Sequence, residues 1–207
     1  MNPAEEKQLG ELVSLYTKTK KLVLQAEQLD PECRSNIAIF KEQRDALDHL
    51  MRALQDALPP VAAPRPDYFT LQIDKAKGHL FRAAYDALDG LAISCKIRIA
   101  EAMTGVSNEA ISAVYPEYYD HLTEIERIDL EIADRRNEKD VGDPTLDNLN
   151  AYQVEVERLC KLVVQCRAKA KPVREWDKRD ARSQVRNKVL WPALGAVGGA
   201  ALVYYIR

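Results

Sequence analysis

The chain has few of the residues that build compact chemistry. Its 207 residues include 8 glycines, 3 histidines and 4 cysteines. The cysteines (Cys33, Cys95, Cys160 and Cys166) form no Cys-x-x-Cys pair, so a zinc centre would lack ligands at a workable spacing. Thiols packed on apolar helix faces in a reducing compartment are the expectation instead. No glycine-rich loop stands ready to cradle a phosphate, and no Ser/His/Asp spacing suggests a nucleophile. A di-iron bundle needs two Glu-x-x-His motifs, and neither occurs, although Glu117 and Glu124 flank His121. No metal and no cofactor are therefore expected. No β-rich stretch of any length appears either, which leaves an all-α chain.

What the sequence does have is helical periodicity. Asn2, Pro3 and Glu5 open a first helix in which Leu9, Leu12, Tyr16, Leu22 and Val23 recur at helical spacing. Asp30, Pro31 and Glu32 are read as its stop and as the cap of a second helix, which carries Ile37, Phe40, Leu47, Leu50, Met51, Leu54 and Leu58. A proline-rich connector over 59–66 follows. Asp67 is expected to cap a third, long helix whose wide apolar face marks it as the most buried. Ser107 caps a fourth, with a kink expected at Pro116. In the fifth, Leu149, Tyr152, Val156, Leu159, Val163, Cys166 and Ala170 follow a heptad seam. The predicted architecture is an antiparallel bundle of about five helices, spanning 1–166.

Charge is distributed unevenly. Across 167–188 nine Lys/Arg meet three Asp/Glu, while the formal net charge of the whole chain is −2, so the preceding body is acidic. An acidic body is not the electrostatic footprint of a nucleic-acid binder. The segment 117–143, with ten acids to four bases, reads as a solvated face or as a docking surface for a protein partner. The basic segment leads into 189–207, where residues 189–206 carry no charged side chain. Eighteen helical residues span ~27 Å, close to a hydrocarbon core of ~30 Å. Lys188 and Trp191 at one end, and Tyr204 and Tyr205 at the other, are interfacial residue types. A C-terminal transmembrane helix in contact with membrane lipid is expected. The N-terminus lacks both the basic and the apolar region of a signal peptide, and the basic run precedes the span. The body is thus expected on the cytoplasmic side of the cytoplasmic membrane. Gly195 and Gly199, with Ala196 and Ala200 beside them, form a small-residue row suited to helix pairing in lipid, which predicts a homo-oligomer.

One short motif bears on chemistry. Arg44, Asp45 and His49 make an Arg–polar–three–His spacing, and no other Arg-x4-His occurs. It resembles the signature of the HEPN superfamily, all-helical domains many of which cleave RNA in antiviral and toxin systems. The resemblance implies a metal-independent ribonuclease site shared by two protomers. Arg44 would hold the phosphate, His49 would move the proton of the ribose 2′-hydroxyl, and Asp45 would orient them. The plainer reading pairs Arg44 with Asp48 and Asp45 with His49 on the helix surface. Two functions follow as expectations. The chain is either an oligomeric, membrane-held effector or adaptor, HEPN-like and acting in antiviral or stress defence, or a non-catalytic scaffold that recruits a partner protein to the membrane.

Overall fold

A computed structural model describes residues 1–32, 34–58, 65–141 and 145–185, with side chains of 137–141 and 185 left aside. Within them the chain forms six α-helices and no strand. The first, α1 (Pro3–Leu29), starts with a complete capping box: the Asn2 side chain accepts from the Glu5 amide at 2.9 Å, and Glu5 accepts from the Asn2 amide at 2.7 Å. The cap expected at 30–32 forms differently. Asp30 closes α1, and its carboxylate accepts from the Glu32 amide at 2.7 Å, a local turn that leaves nothing for the next helix. Asn36 caps α2 (Ile37–Ala57) instead, accepting from the Ala38 amide at 2.9 Å.

The most extensively buried element is α3 (Tyr68–Met103), 36 residues and therefore ~54 Å. Asp67 does not cap it. Its φ of 58° puts it in the left-handed region, where its carboxylate makes no bond to the first turn. That corner is held from behind: Arg65 donates to buried Asp56 at the end of α2 (Nε to Oδ1, 2.9 Å) and lies 3.2 Å over the Tyr68 ring.

The kink expected at Pro116 is a full break. The proline ring disfavours helical geometry in the residue before it, and Tyr115 leaves the helix at φ −144°, ψ 60°. Two helices result, α4 (Asn108–Val114), capped by the Ser107 hydroxyl, and α5 (Tyr118–Val141). The last, α6 (Leu146–Val185), runs 40 residues through Pro172. Its predicted seam is buried throughout, and Val173 extends it by one more turn.

Cross-helix contacts fix the order. Gln8 meets Thr70, Glu11 meets Lys77, and Arg98 donates to the Leu29 carbonyl, so α1 runs parallel to α3 along most of its length. The α2 helix runs back against α3, with Glu42 beside Arg82 and His49 beside Gln72. On the far half of α3, Asp89 meets Tyr152 and Arg136, Cys95 meets Cys160, and Lys96 meets Asp129, which sets α6 parallel and α5 antiparallel to it. Leaving aside the short α4, successive helices therefore alternate in direction around α3. Small residues in α3 (Ala76, Ala83, Ala84, Ala87, Ala92) are fully or almost fully buried and let its neighbours approach closely.

Among the described residues no helix is long and apolar enough to cross a membrane. The expected span lies outside them, and with it Lys188, Trp191, Gly195, Ala196, Gly199, Ala200, Tyr204 and Tyr205.

Candidate functional site

The site is built on α2, a helix with two different apolar faces. Its inner face packs small or β-branched residues onto α3: Ile39, Ala46 and Ala53 are buried. The outer face follows a 3-4-3-4 spacing through Ile37, Phe40, Arg44, Leu47, Met51, Leu54 and Leu58. Apart from half-buried Leu54, these outer side chains stand largely in solvent: Ile37 is 84% exposed, Leu47 and Met51 are each 56% exposed, and Phe40 is half exposed. Between this face and α1 runs an apolar groove of about 470 Å³, walled by Val13, Tyr16, Phe40 and Leu47 with Leu80 of α3 beneath. Arg44 lines its edge.

The three motif residues occupy different parts of this helix. Arg44 turns outwards and pairs with its neighbour Asp45 at 2.7 Å, not with Asp48. The hydrogen bond from Arg44 holds the Asp45 carboxyl below its ordinary range. Asp48 instead pairs with Arg52 at 2.8 Å. His49 points towards α3, where its Nδ1–H donates to the Gln72 side-chain oxygen at 2.7 Å. Five residues along a helix turn the chain by about 140° beyond a full revolution, so Arg44 and His49 face different ways. The structure brings Arg44 to Asp45 and His49 to α3, and it does not bring Arg44 and His49 together within one chain.

His49 does join a second cluster. Its ring stacks on His79 of α3, centroids 5.3 Å apart. Nδ1 of His79 lies 2.8 Å from Glu42 and 2.7 Å from an Arg82 nitrogen. A single ring nitrogen can donate to the first or accept from the second, not both. Glu42 also accepts from Arg82 Nε at 2.8 Å. Burial pushes the Glu42 carboxyl up, but the bonds from His79 and Arg82 together outweigh it and hold the group below its ordinary range. An ionised Glu42 favours the tautomer in which His79 Nδ1–H donates to it. The cluster thus locks the inner face of α2 in register on α3, and no buried side-chain nitrogen or oxygen among the described residues is left without a partner.

The third histidine, His121, contacts the Tyr115 hydroxyl at 2.6 Å near the break between α4 and α5. Among the described residues no group of three or more His, Cys, Asp and Glu is arranged to hold a metal. The acidic face of α5 is partly neutralised. Glu124 and Glu131 both meet Arg127 of their own helix and Arg158 of α6.

Helical spacing alone does not mark the outer stripe as a site, because a core-facing row has the same spacing. The available signal was the second set at 39, 46 and 53, offset by two from the first, which already supplies a core-facing row. Compared with known proteins, the chain matches no family model, no curated protein and no solved structure.

Proposed function

We propose that this protein is a membrane-tethered adaptor that self-associates: two copies pair through the outer face of α2 and the groove beside it, while the apolar segment 189–206 holds them at the bilayer. The observation that carries the reading is that face. A helix on the surface of a monomer usually carries polar residues outwards, and here α2 carries an apolar stripe about three heptads long.

A second copy is the occupant that the surface fits best. The exposed parts of Val13, Tyr16, Ile37, Phe40, Leu47 and Met51 sum to roughly 600 Å² of apolar area, near the ~800 Å² per partner of a standard interface and at the upper end of patches left bare on monomers. Heptad spacing suits this use, because the same stripe on two copies interleaves across a two-fold axis. The small-residue row at Gly195 and Gly199 would add a second contact in lipid.

The test is mass photometry of the full chain in neutral detergent. Wild type should be dimeric, Gly195→Ile with Gly199→Ile should stay dimeric through the body contact, and adding Leu47→Glu to that pair should give a monomer at the same concentration. A triple variant that is folded and still dimeric would remove the α2 seam. For the tether, deletion of 189–207 should move the protein from the membrane pellet to the soluble fraction, and a truncated protein that resists carbonate wash would remove that part.

A further inference from the structure

The far end of the bundle holds a feature that pairing through α2 does not use. Where the C-terminal end of α3 meets the middle of α6, a cleft of about 370 Å³ is lined by Arg98, Arg167, Lys171 and Arg174, with Glu101 as its one carboxylate. Residues 167, 171 and 174 recur at i, i+4 and i+7, so α6 presents them on one face.

Two of these cations are fixed by the fold. Arg98 donates from Nε to the Leu29 carbonyl at 2.7 Å and from Nη2 to that of Asp30 at 3.3 Å, at the end of α1. Arg174 donates to the Glu101 and Ala102 carbonyls at 3.2 and 3.0 Å, at the end of α3. Capping a helix end occupies one or two donors, but a guanidinium has five, so each of these arginines keeps donors that its helix end does not use. Each helix end offsets about half a charge. Arg167 has no ion pair among the described residues, and Lys171 meets Glu175 only loosely, at 3.9 Å with both largely exposed. Counting the helix ends and Glu101 against the four cations leaves the cleft at roughly +2.

We infer that the cleft between α3 and α6 binds an oligophosphate, a group carrying two or more adjacent phosphates, either free in solution or as a phosphorylated lipid headgroup. A single phosphate would leave part of this charge unmatched, whereas adjacent phosphates can take a fork from each anchored arginine and a point charge from Lys171. The volume lies within the ~300–1,000 Å³ range of small-molecule sites.

Isothermal calorimetry on the full chain in neutral detergent tests this with three ligands: sodium tripolyphosphate, a short-chain phosphatidylinositol bisphosphate, and inorganic phosphate. At least one of the first two should bind with Kd below about 100 µM and at least tenfold more tightly than inorganic phosphate. Binding of tripolyphosphate identifies a soluble ligand, and binding of the lipid alone identifies a headgroup. Arg167→Ala with Lys171→Ala should weaken that binding at least tenfold. The control, Lys161→Ala with Arg179→Ala, removes the same charge from α6 about 120° away from Arg167 and should stay within about twofold. The inference fails if neither polyanion saturates below millimolar concentration, or if both double variants weaken binding equally.

Discussion

Two truncations on the same helix separate the two faces of α2 energetically. Ile39 is 3% exposed and Leu47 is 56% exposed, and each loses about three methylene equivalents on conversion to alanine. For Ile39→Ala the transfer loss is ~2.4 kcal/mol at ~0.8 kcal/mol per methylene, and the cavity left against α3 raises it to ~3–4 kcal/mol. Alanine is the better helix former by a few tenths of a kcal/mol, which barely offsets that loss. For Leu47→Ala less than half of the side chain is covered, so the same arithmetic gives no more than ~1 kcal/mol within one chain. In a domain of this size ~1 kcal/mol moves Tm by about 2–4 °C. Thermal melts by circular dichroism, run at protein concentrations low enough to disfavour association, should therefore drop by about 8–12 °C for Ile39→Ala and by less than ~4 °C for Leu47→Ala. At high concentration wild type should gain Tm, as any self-associating protein does, and Leu47→Ala should not. Equal destabilisation by the two variants at every concentration would mean that the chain covers its own stripe, and the argument for an external partner would collapse.

Two further outcomes follow from the packing. Leu159, fully buried in the α6 seam, should not tolerate a carboxylate: Leu159→Asp should cost at least ~3 kcal/mol and lower Tm by ~6 °C or more, so an unchanged melt would contradict the buried seam. The folded Glu42 carboxyl sits below its ordinary range, so as pH falls the unfolded chain takes up its proton first. The stability it contributes is present above the ordinary carboxylate value of ~4.3 and is lost as pH falls through the lower folded value. Glu42→Gln should thus be ~1–2 kcal/mol less stable than wild type at neutral pH in urea titrations, and the gap should close in acid. A gap that stays constant down to pH 3 would show that the ion pairs do not carry it.

Much of the fold was legible because helix patterning is local. The capping box at Asn2 and Glu5, the Ser107 cap and the seam from Leu149 to Ala170 are each set by residues a few positions apart, and all formed as their spacing dictates. Two expected caps did not form. Asp30 had an amide of its own turn within reach, so it closed α1 and left the next cap to Asn36. Asp67 takes a left-handed backbone that spacing does not foretell, at a corner where Arg65 bridges to Asp56 nine positions back. The site was less legible for a similar reason. Periodicity says that a residue lies on a face but not which face meets the rest of the chain, and α2 has two. The partners of His49 could not be read at all, since Gln72 and His79 come from a helix whose register was not yet known.

Arg44 decides between the two uses of α2. In the shared-site chemistry that its spacing with His49 resembles, its guanidinium would hold a phosphate, and its loss would abolish cleavage whatever replaced it. In the seam it is the one charged residue in an otherwise apolar heptad row, 71% exposed at its side chain, with Asp45 beside it. A single polar residue at such a position costs stability but fixes register and copy number, because alternative alignments would bury it unpaired. Arg44→Leu should therefore tighten self-association at least several-fold while broadening it from dimers to a mixture that includes larger species. Arg44→Lys should keep the dimer, since it keeps the charge. Mass photometry of the full chain in detergent reads both outcomes, and cleavage of a labelled RNA by the same samples reads the alternative. If Arg44→Leu dissociates the dimer, the arginine is an attractive contact and not a register device. If wild type cleaves RNA and both variants do not, α2 serves catalysis and the adaptor reading falls.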